Sequence, residues 1–242
     1  MSVETTASPA QPSRIGTAKK GLTYLLFFSI VMFFAGLTSA YLVSKGGATY
    51  WVHIRMPAPF WWSTAFILVS SATMHMALLQ ARKDRKRAVA PWVLFTLGLG
   101  LCFTVSQFKG WGDLWDNGLA LVGRLKSVGA EYGKDYTIER RGQTLVLHGG
   151  EYFLPEDTAF EHSLNAEMAE TSNAASSYFY VLTLAHFAHI IGGLIALVVI
   201  AVKAALGRYG AADHQGLWAG TVFWHFLAAV WVYLLLFLVF VH

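Results

Sequence analysis

"YFYVLTLAHFAHIIGGLIALVVIAV", residues 178–202, decides the fold class. It contains no Asp, Glu, Lys or Arg. A helix rises about 1.5 Å per residue, so the stretch is long enough to cross a hydrocarbon core of about 30 Å. A surface helix of a soluble protein needs a polar face, and Thr183, His186 and His189 are too few to make one. The two histidines set the functional question, because ionisable groups inside a membrane are costly and often functional.

Four more charge-free runs surround this one. They lie between Lys20 and Lys45, Arg55 and Arg82, Arg87 and Lys109, and from Asp213 to the C-terminus, while the quoted run lies between Glu170 and Lys203. Each supplies the roughly 20 residues that a span requires. With 55% hydrophobic residues, the chain reads as an all-α membrane protein, a five-transmembrane-helix bundle. The first run is too long for a signal-peptide core of about 7–15 residues and is read as a retained anchor. Cys102, the single cysteine, falls inside a span, which excludes an internal disulfide and suggests a small packing residue.

Charge placement orients the bundle. Arg14, Lys19 and Lys20 precede the first span, "RKDRKR" (82–87) follows the second, and Lys203 and Arg208 lie between the last two. These segments fall on one side of a five-span chain, so that side is expected to be cytoplasmic, with the C-terminus outside. Their juxtamembrane position points to topology and anionic lipid, not to nucleic acid. Trp51, Trp61, Trp62, Trp111 and Trp115 are expected to mark outer span ends, and Trp92 and Trp218 inner ones. The membrane is read as the bacterial inner (cytoplasmic) membrane, with the insert and C-terminus periplasmic.

The expected organisation is a disordered cytoplasmic tail (1–20), three helices (21–111), a periplasmic insert (112–174) and two helices (175–242). The insert, a small mixed polar segment on the outer face, holds most of the acidic residues. "YTIERRGQTLVLHGG" (136–150) alternates and turns at Arg141–Gly142, which predicts a hairpin. "EDTAFEHSLNAEMAE" (156–170) reads as a short helix with Asp157 or Thr158 near its N-cap.

The chemistry available inside the runs is narrow. Without acidic or basic side chains there, a proton pump or ion-coupled transporter lacks its usual groups. Within the spans themselves, the histidines His75, His186, His189 and His225 remain. His186 and His189 lie on one helix face, about 60° apart, and cannot sandwich one heme. A cross-helix pair with His225 would be needed for that. His186, His189 and His225 together offer three nitrogen donors for zinc or copper, though no span carboxylate would orient them. Interhelical hydrogen bonding or lipid headgroup contact is the simpler role. Small residues are expected to let helices approach: Ala35, Gly36, Ser39 and Ala40, then Ser70, Ser71 and Thr73, then Gly98 and Gly100, then Gly192 and Gly193.

Taken together, five stretches resemble the subunit III family of heme–copper oxidases in its five-helix form. They are "LLFFSIVMFFAGLTSAYLV" (25–43), "STAFILVSSATMHMAL" (63–78), "LFTLGLGLCFTVSQFKGW" (94–111), "LAHFAHIIGGL" (184–194) and "FWHFLAAVWVYLLLF" (223–237). The insert and the N-terminal tail are not covered. Three positions depart from the family pattern: it usually has a Glu at Ile30 and near Gly110, and often an Asp at Ala228. His186, His189, His225, Trp224, Trp231, Gly192 and Gly193 are kept, as structural or lipid-contact residues.

The resemblance implies a noncatalytic subunit of a respiratory terminal oxidase, cytochrome c oxidase being the expected complex. It implies no redox cofactor in this chain, heme and copper in partner subunits, subunits I and II as partners, and bound phospholipids. Stabilising the catalytic subunit and assisting proton uptake or oxygen access are the implied roles. A quinol oxidase or nitric oxide reductase complex, or a membrane b-type cytochrome, are the alternatives. The acidic insert suggests a docking surface for cytochrome c or another respiratory complex.

Overall fold

The computed structural model describes residues 14–119, 121, 131–169, 171–211 and 213–241. Five long helices carry the chain: α1 (Arg14–Gly47), α2 (Ala58–Arg82), α3 (Lys86–Asp116), α5 (Ala174–Ala205) and α6 (Gln215–Phe240). All five are long and apolar enough to span a membrane, as their charge-free runs require. Between α1 and α2 runs strand β1 (Tyr50–Ile54). Between α3 and α5 lie β2 (Tyr136–Arg140), β3 (Gln143–Thr144), β4 (Val146–His148), β5 (Glu151–Phe153) and the short α4 (Asn165–Ala169).

Local sequence explains the helix ends. Pro57 and Pro59 stand at the start of α2, where the first-turn N–H groups have no helical partner to lose. Asn173 caps α5 by accepting from the Ser176 N–H at 3.1 Å. Asp84, in the left-handed conformation (φ 54°), turns the chain between α2 and α3, and its carboxylate accepts from the Ala211 N–H at 3.1 Å. That bond ties together the two loops at the basic end of the bundle.

At the opposite end, Tyr41 of α1 packs edge-on against Trp51, Tyr178 and Phe237, at centroid distances of 5.2, 5.7 and 5.1 Å. Lys45 donates to the Val241 carbonyl at 2.7 Å, and Ser44 is hydrogen-bonded to the Tyr178 hydroxyl at 2.7 Å. Four elements therefore meet at one aromatic knot.

The insert is fastened to the bundle by β1, which pairs antiparallel with β2 from Tyr50↔Arg140 to Ile54↔Tyr136. The expected hairpin turns at Arg141–Gly142, both at positive φ (49° and 90°), the geometry that favours two-residue hairpins. A second hairpin, β4–β5, turns at Gly149–Gly150 (φ 61° and 87°). Arg140 holds α4 to this ribbon through Glu167 (3.0 and 3.2 Å) and lies over the Tyr50 ring.

Several expectations need correction. The helix expected over 156–170 shrinks to Asn165–Ala169. Asp157 instead closes a turn, its carboxylate accepting from the His162 and Glu161 N–H groups at 2.9 and 3.4 Å. Residues 14–20, assigned to a disordered tail, belong to α1, since no proline interrupts "RIGTAKK"; residues 1–13 lie outside those described. Trp51 and Trp111 are buried, 4% and 8% exposed, and do not belong to a surface belt, whereas Trp61, Trp62 and Trp115 are exposed. Trp111 turns inward because the Thr183 hydroxyl accepts its N–H at 3.1 Å. Cys102 is exposed on α3 and takes no part in packing the bundle. Ala35, Gly36, Ser39 and Ala40 also face outward.

Candidate functional site

The bundle centre is built on α6. Trp224 and Trp231 lie two turns apart on its buried face. Trp224 donates to Ser70 and Trp231 to Thr64, each at 2.9 Å, so both indoles anchor α6 to α2. Thr73 and Thr96 join α2 to α3 at 2.8 Å, and the Gln107 amide donates to Ser63 at 3.0 Å. Inside hydrocarbon, polar side chains find partners across helices, and these pairs fix the register of the bundle.

His186 occupies the middle of this core. It is 1% exposed and stacks on Trp231 at 5.4 Å, with Phe103 and Phe34 each 6.3 Å away. Among the described residues neither ring nitrogen has a hydrogen-bond partner. One turn along, half-buried His189 donates from Nδ1 to the Ala185 carbonyl at 2.7 Å, and its ring meets Phe34 at 5.6 Å and Phe33 at 6.2 Å. Phenyl and indole rings thus wall the His186 imidazole, and phenyl rings flank that of His189.

His225 is elsewhere. It is hydrogen-bonded through Nδ1 to Ser71 of α2, and its ring lies 5.7 Å from His75. The cross-helix pairing of His225 with His189 is therefore replaced by a pairing with His75, and the set His186, His189 and His225 is not assembled. No group of three or more His, Cys, Asp or Glu side chains is placed to hold a metal ion among the described residues.

The glycines divide by use. A Cβ on Gly193 would come within 2.8 Å of Leu227 and 3.0 Å of Trp224, and one on Gly100 within 2.9 Å of Leu194 and 3.2 Å of Trp224. These two let α5 and α3 close on the Trp224 indole. Among the described residues a Cβ on Gly192 or Gly98 would meet nothing within 4 Å, so one glycine of each pair mediates this packing.

Three acidic residues of the insert have partners within this end of the molecule. Glu131 pairs with Lys134 (3.0 Å), Glu139 with His53 (2.5 Å) and Glu167 with Arg140 (3.0 Å). The phenols of Tyr132, Tyr136 and Tyr152 cluster beneath β1–β2, and burial pushes all three above the usual tyrosine range. Tyr50 is pushed up to about 12, mainly by burial. This end is a folded, hydrogen-bonded cap.

Comparison with known proteins agrees with this architecture. The sequence profile described as cytochrome c oxidase subunit III matches residues 144–242, which include α5 and α6. A probable cytochrome c oxidase subunit 3 of Nocardia farcinica is 24% identical over 217 residues, covering 87% of this chain and 81% of the relative. The cytochrome c oxidase subunit 3 of Synechocystis sp. is 22% identical over 225 residues, covering 87% and 73%. A probable cytochrome c oxidase subunit 3 of Mycobacterium leprae is 23% identical over 216 residues, with coverage of 87% and 81%. The chain is similar to the heme–copper oxidase subunit III family, most of its length aligning with these relatives.

The three positions expected to depart from the resembled pattern have distinct local settings. Gly110 lies against Phe60, where a Cβ would come within 2.7 Å of the ring, so a longer side chain at that position has no room. Ile30 and Ala228 are buried, 5% and 3% exposed, where an unpaired carboxylate would be costly. The Ser71–His75–His225 cluster was missed in the sequence as a unit. Its available signal is that Ser71 and His75 stand four residues apart, on one face of α2.

Proposed function

We propose that this subunit III acts as a packing and lipid-contact partner of the catalytic subunit in a cytochrome c oxidase, without a redox centre of its own. Hemes and copper belong to the partner subunits, as does oxygen reduction. The observation that carries the reading is His186. Its ring is walled in by Trp231, Phe34 and Phe103, which supports a structural part for the one histidine at the bundle centre. His186, His189, His225, Trp224, Trp231 and Gly193 hold the bundle, and Gly192 faces away from its packing.

The basic end with "RKDRKR" is read as cytoplasmic, and the insert and C-terminus as periplasmic, in the inner membrane of a bacterium. Assistance to proton uptake or to oxygen access is the further role that the resemblance supports. Among the described residues, exposed Glu151, Glu156 and Glu161 lie outside the insert's internal ion pairs and are the residues on which a basic electron donor would dock.

Purification of the tagged chain from its native membrane tests the reading. A stoichiometric heme–copper subunit I and a subunit II with a copper-binding domain are expected to travel with it. A chain isolated alone with its own heme b spectrum, lost in His225→Ala, would overturn it. Docking is tested separately by the triple variant E151Q/E156Q/E161Q. Unchanged salt dependence of cytochrome c oxidation would remove that part.

A further inference from the structure

A cleft of about 550 Å³ opens where the β1–β2 ribbon meets the start of α2 and the end of α6. Its two walls differ in chemistry. One is apolar and carries Trp61 of α2 with Leu238 and Val239 of α6. Trp61 and Val239 are 51% and 37% exposed, so this wall continues onto the outer surface of the bundle. The other wall is polar and basic, with Arg55 just past β1 and Lys134 and Thr137 of the insert. Both strands of the ribbon lie outside the stretch matched by the subunit III profile.

The cleft sits at the depth of lipid headgroups. Trp61 is three residues from the start of α2 at Ala58, and Val239 one residue from the end of α6 at Phe240. At about 1.5 Å per residue, both lie within about 5 Å of their helix ends. Indoles and basic side chains are at home at that level, beside phosphates.

The charges around the cleft single out Arg55. Lys134 is paired with Glu131 at 3.0 Å, and His53, which also lines the cleft, with Glu139 at 2.5 Å. Asp113, Asp116 and Asp135 border Arg55 from a second cleft on its other side. Among the described residues none of these acids forms an ion pair with Arg55, and its side chain is exposed. The guanidinium is therefore the cation left for a ligand, and its planar fork matches a phosphate. A free phosphate ion on Arg55 would leave the Trp61 and Val239 wall in water. A ligand that covers both walls has an anionic group at one end and hydrocarbon at the other.

We infer that this cleft holds a phospholipid from the leaflet at the ribbon end, its phosphate on Arg55 and Lys134 and the upper part of an acyl chain along Trp61 and Val239. The inference rests on the chain's crossing the membrane. It goes beyond the oxidase reading by assigning one lipid to a site that the ribbon itself completes.

The test uses the chain in its native membrane, with a photo-activatable residue at Thr137 or, as a control, at Leu147 of the second hairpin. A phospholipid adduct, identified by mass, is expected at Thr137 and not at Leu147. R55Q/K134Q is expected to reduce that adduct several-fold. R55K is expected to restore most of the loss seen in R55Q, which a damaged fold would not allow, and R141Q, outside the cleft, to change nothing. Absence of a lipid adduct at Thr137, equal adducts in wild type and R55Q/K134Q, or adducts with protein alone overturn the inference. A second arm adds inorganic phosphate to the detergent-purified complex and follows its phosphorus NMR line. Arg55-dependent broadening without a lipid adduct in membranes assigns the cleft to a free anion and also overturns the lipid. A chain that purifies without heme–copper subunits sinks the oxidase reading but leaves the Thr137 result standing, so the two failures are distinguishable.

Discussion

His186 lies over Trp231 with ring centroids 5.4 Å apart and planes 29° from parallel, while neither imidazole nitrogen meets a hydrogen-bond partner among the described residues. The ring contributes area and shape to the core, and its polar atoms contribute cost. A buried polar group left unpaired costs about 1–3 kcal/mol.

Replacing that imidazole with a ring of similar size tests the balance. His186→Phe is expected to raise the stability of the bundle by about 1 kcal/mol in unfolding experiments in detergent. Trp231→Ala removes both the stacked indole and the bond to Thr64, and is expected to cost about 3–5 kcal/mol. A loss of stability in His186→Phe would show that something other than protein meets the imidazole.

The paired glycines of α5 make opposite predictions. Gly193→Val drives a side chain into Leu227 and Trp224 and is expected to cost about 1–3 kcal/mol by overpacking. Gly192→Ala meets open space and is expected to leave stability unchanged or slightly raised, because alanine favours helix. Equal effects at the two positions would contradict the close approach of α5 to α6.

Acid should loosen one specific loop. The two backbone N–H groups that Asp157 accepts hold its carboxyl below the usual carboxylate range, the His162 bond being the larger cause. A depressed folded value means the stabilisation is complete above the unfolded carboxylate pKa of about 3.9 and is lost as pH falls through the lower folded value. Amide exchange at Glu161 and His162 is expected to accelerate over that interval. Asp157→Asn is expected to remove the pH dependence.

Ile30 offers a gain-of-function experiment. It lies one helical turn before Phe34, whose ring touches both His186 and His189. Ile30→Glu is expected to destabilise the bundle, and the loss is expected to be greater when His189 is also replaced by Leu. A coupling of about 0.5–3 kcal/mol in the double-mutant cycle would place the new carboxyl within reach of the imidazole. Strict additivity would restrict position 30 to packing.

The five spans were legible because each is an uninterrupted charge-free run, and lipid thickness fixes what such a run becomes. The Arg141–Gly142 hairpin was legible for a local reason, the demand of its turn for positive φ. What stayed hidden is nonlocal. Nothing near Tyr50–Ile54 announces a partner at Tyr136–Arg140, and nothing near His225 points to Ser71 and His75 rather than to His189. The 156–170 segment misled because acids near an N-cap signal also serve an Asp-closed turn, and Asp157 uses its carboxylate that way. Gly192 and Gly193 are adjacent in sequence, but their directions on the helix give only the second a neighbour.

The β1–β2 pairing also dictates an order of events during synthesis. β1 is made before α2 and α3, and its partner strand is made after them. Until residue 140 has been made, β1 has an open edge and the α1–α2 connection is untethered. Joining the strands closes a chain loop containing two membrane helices, so the ribbon acts as a latch that shuts only after both are in place. A chain that stalls before the ribbon forms would expose Trp51 and the rest of β1 as a strand seeking a partner, which makes the cap a checkpoint on insertion as much as a surface.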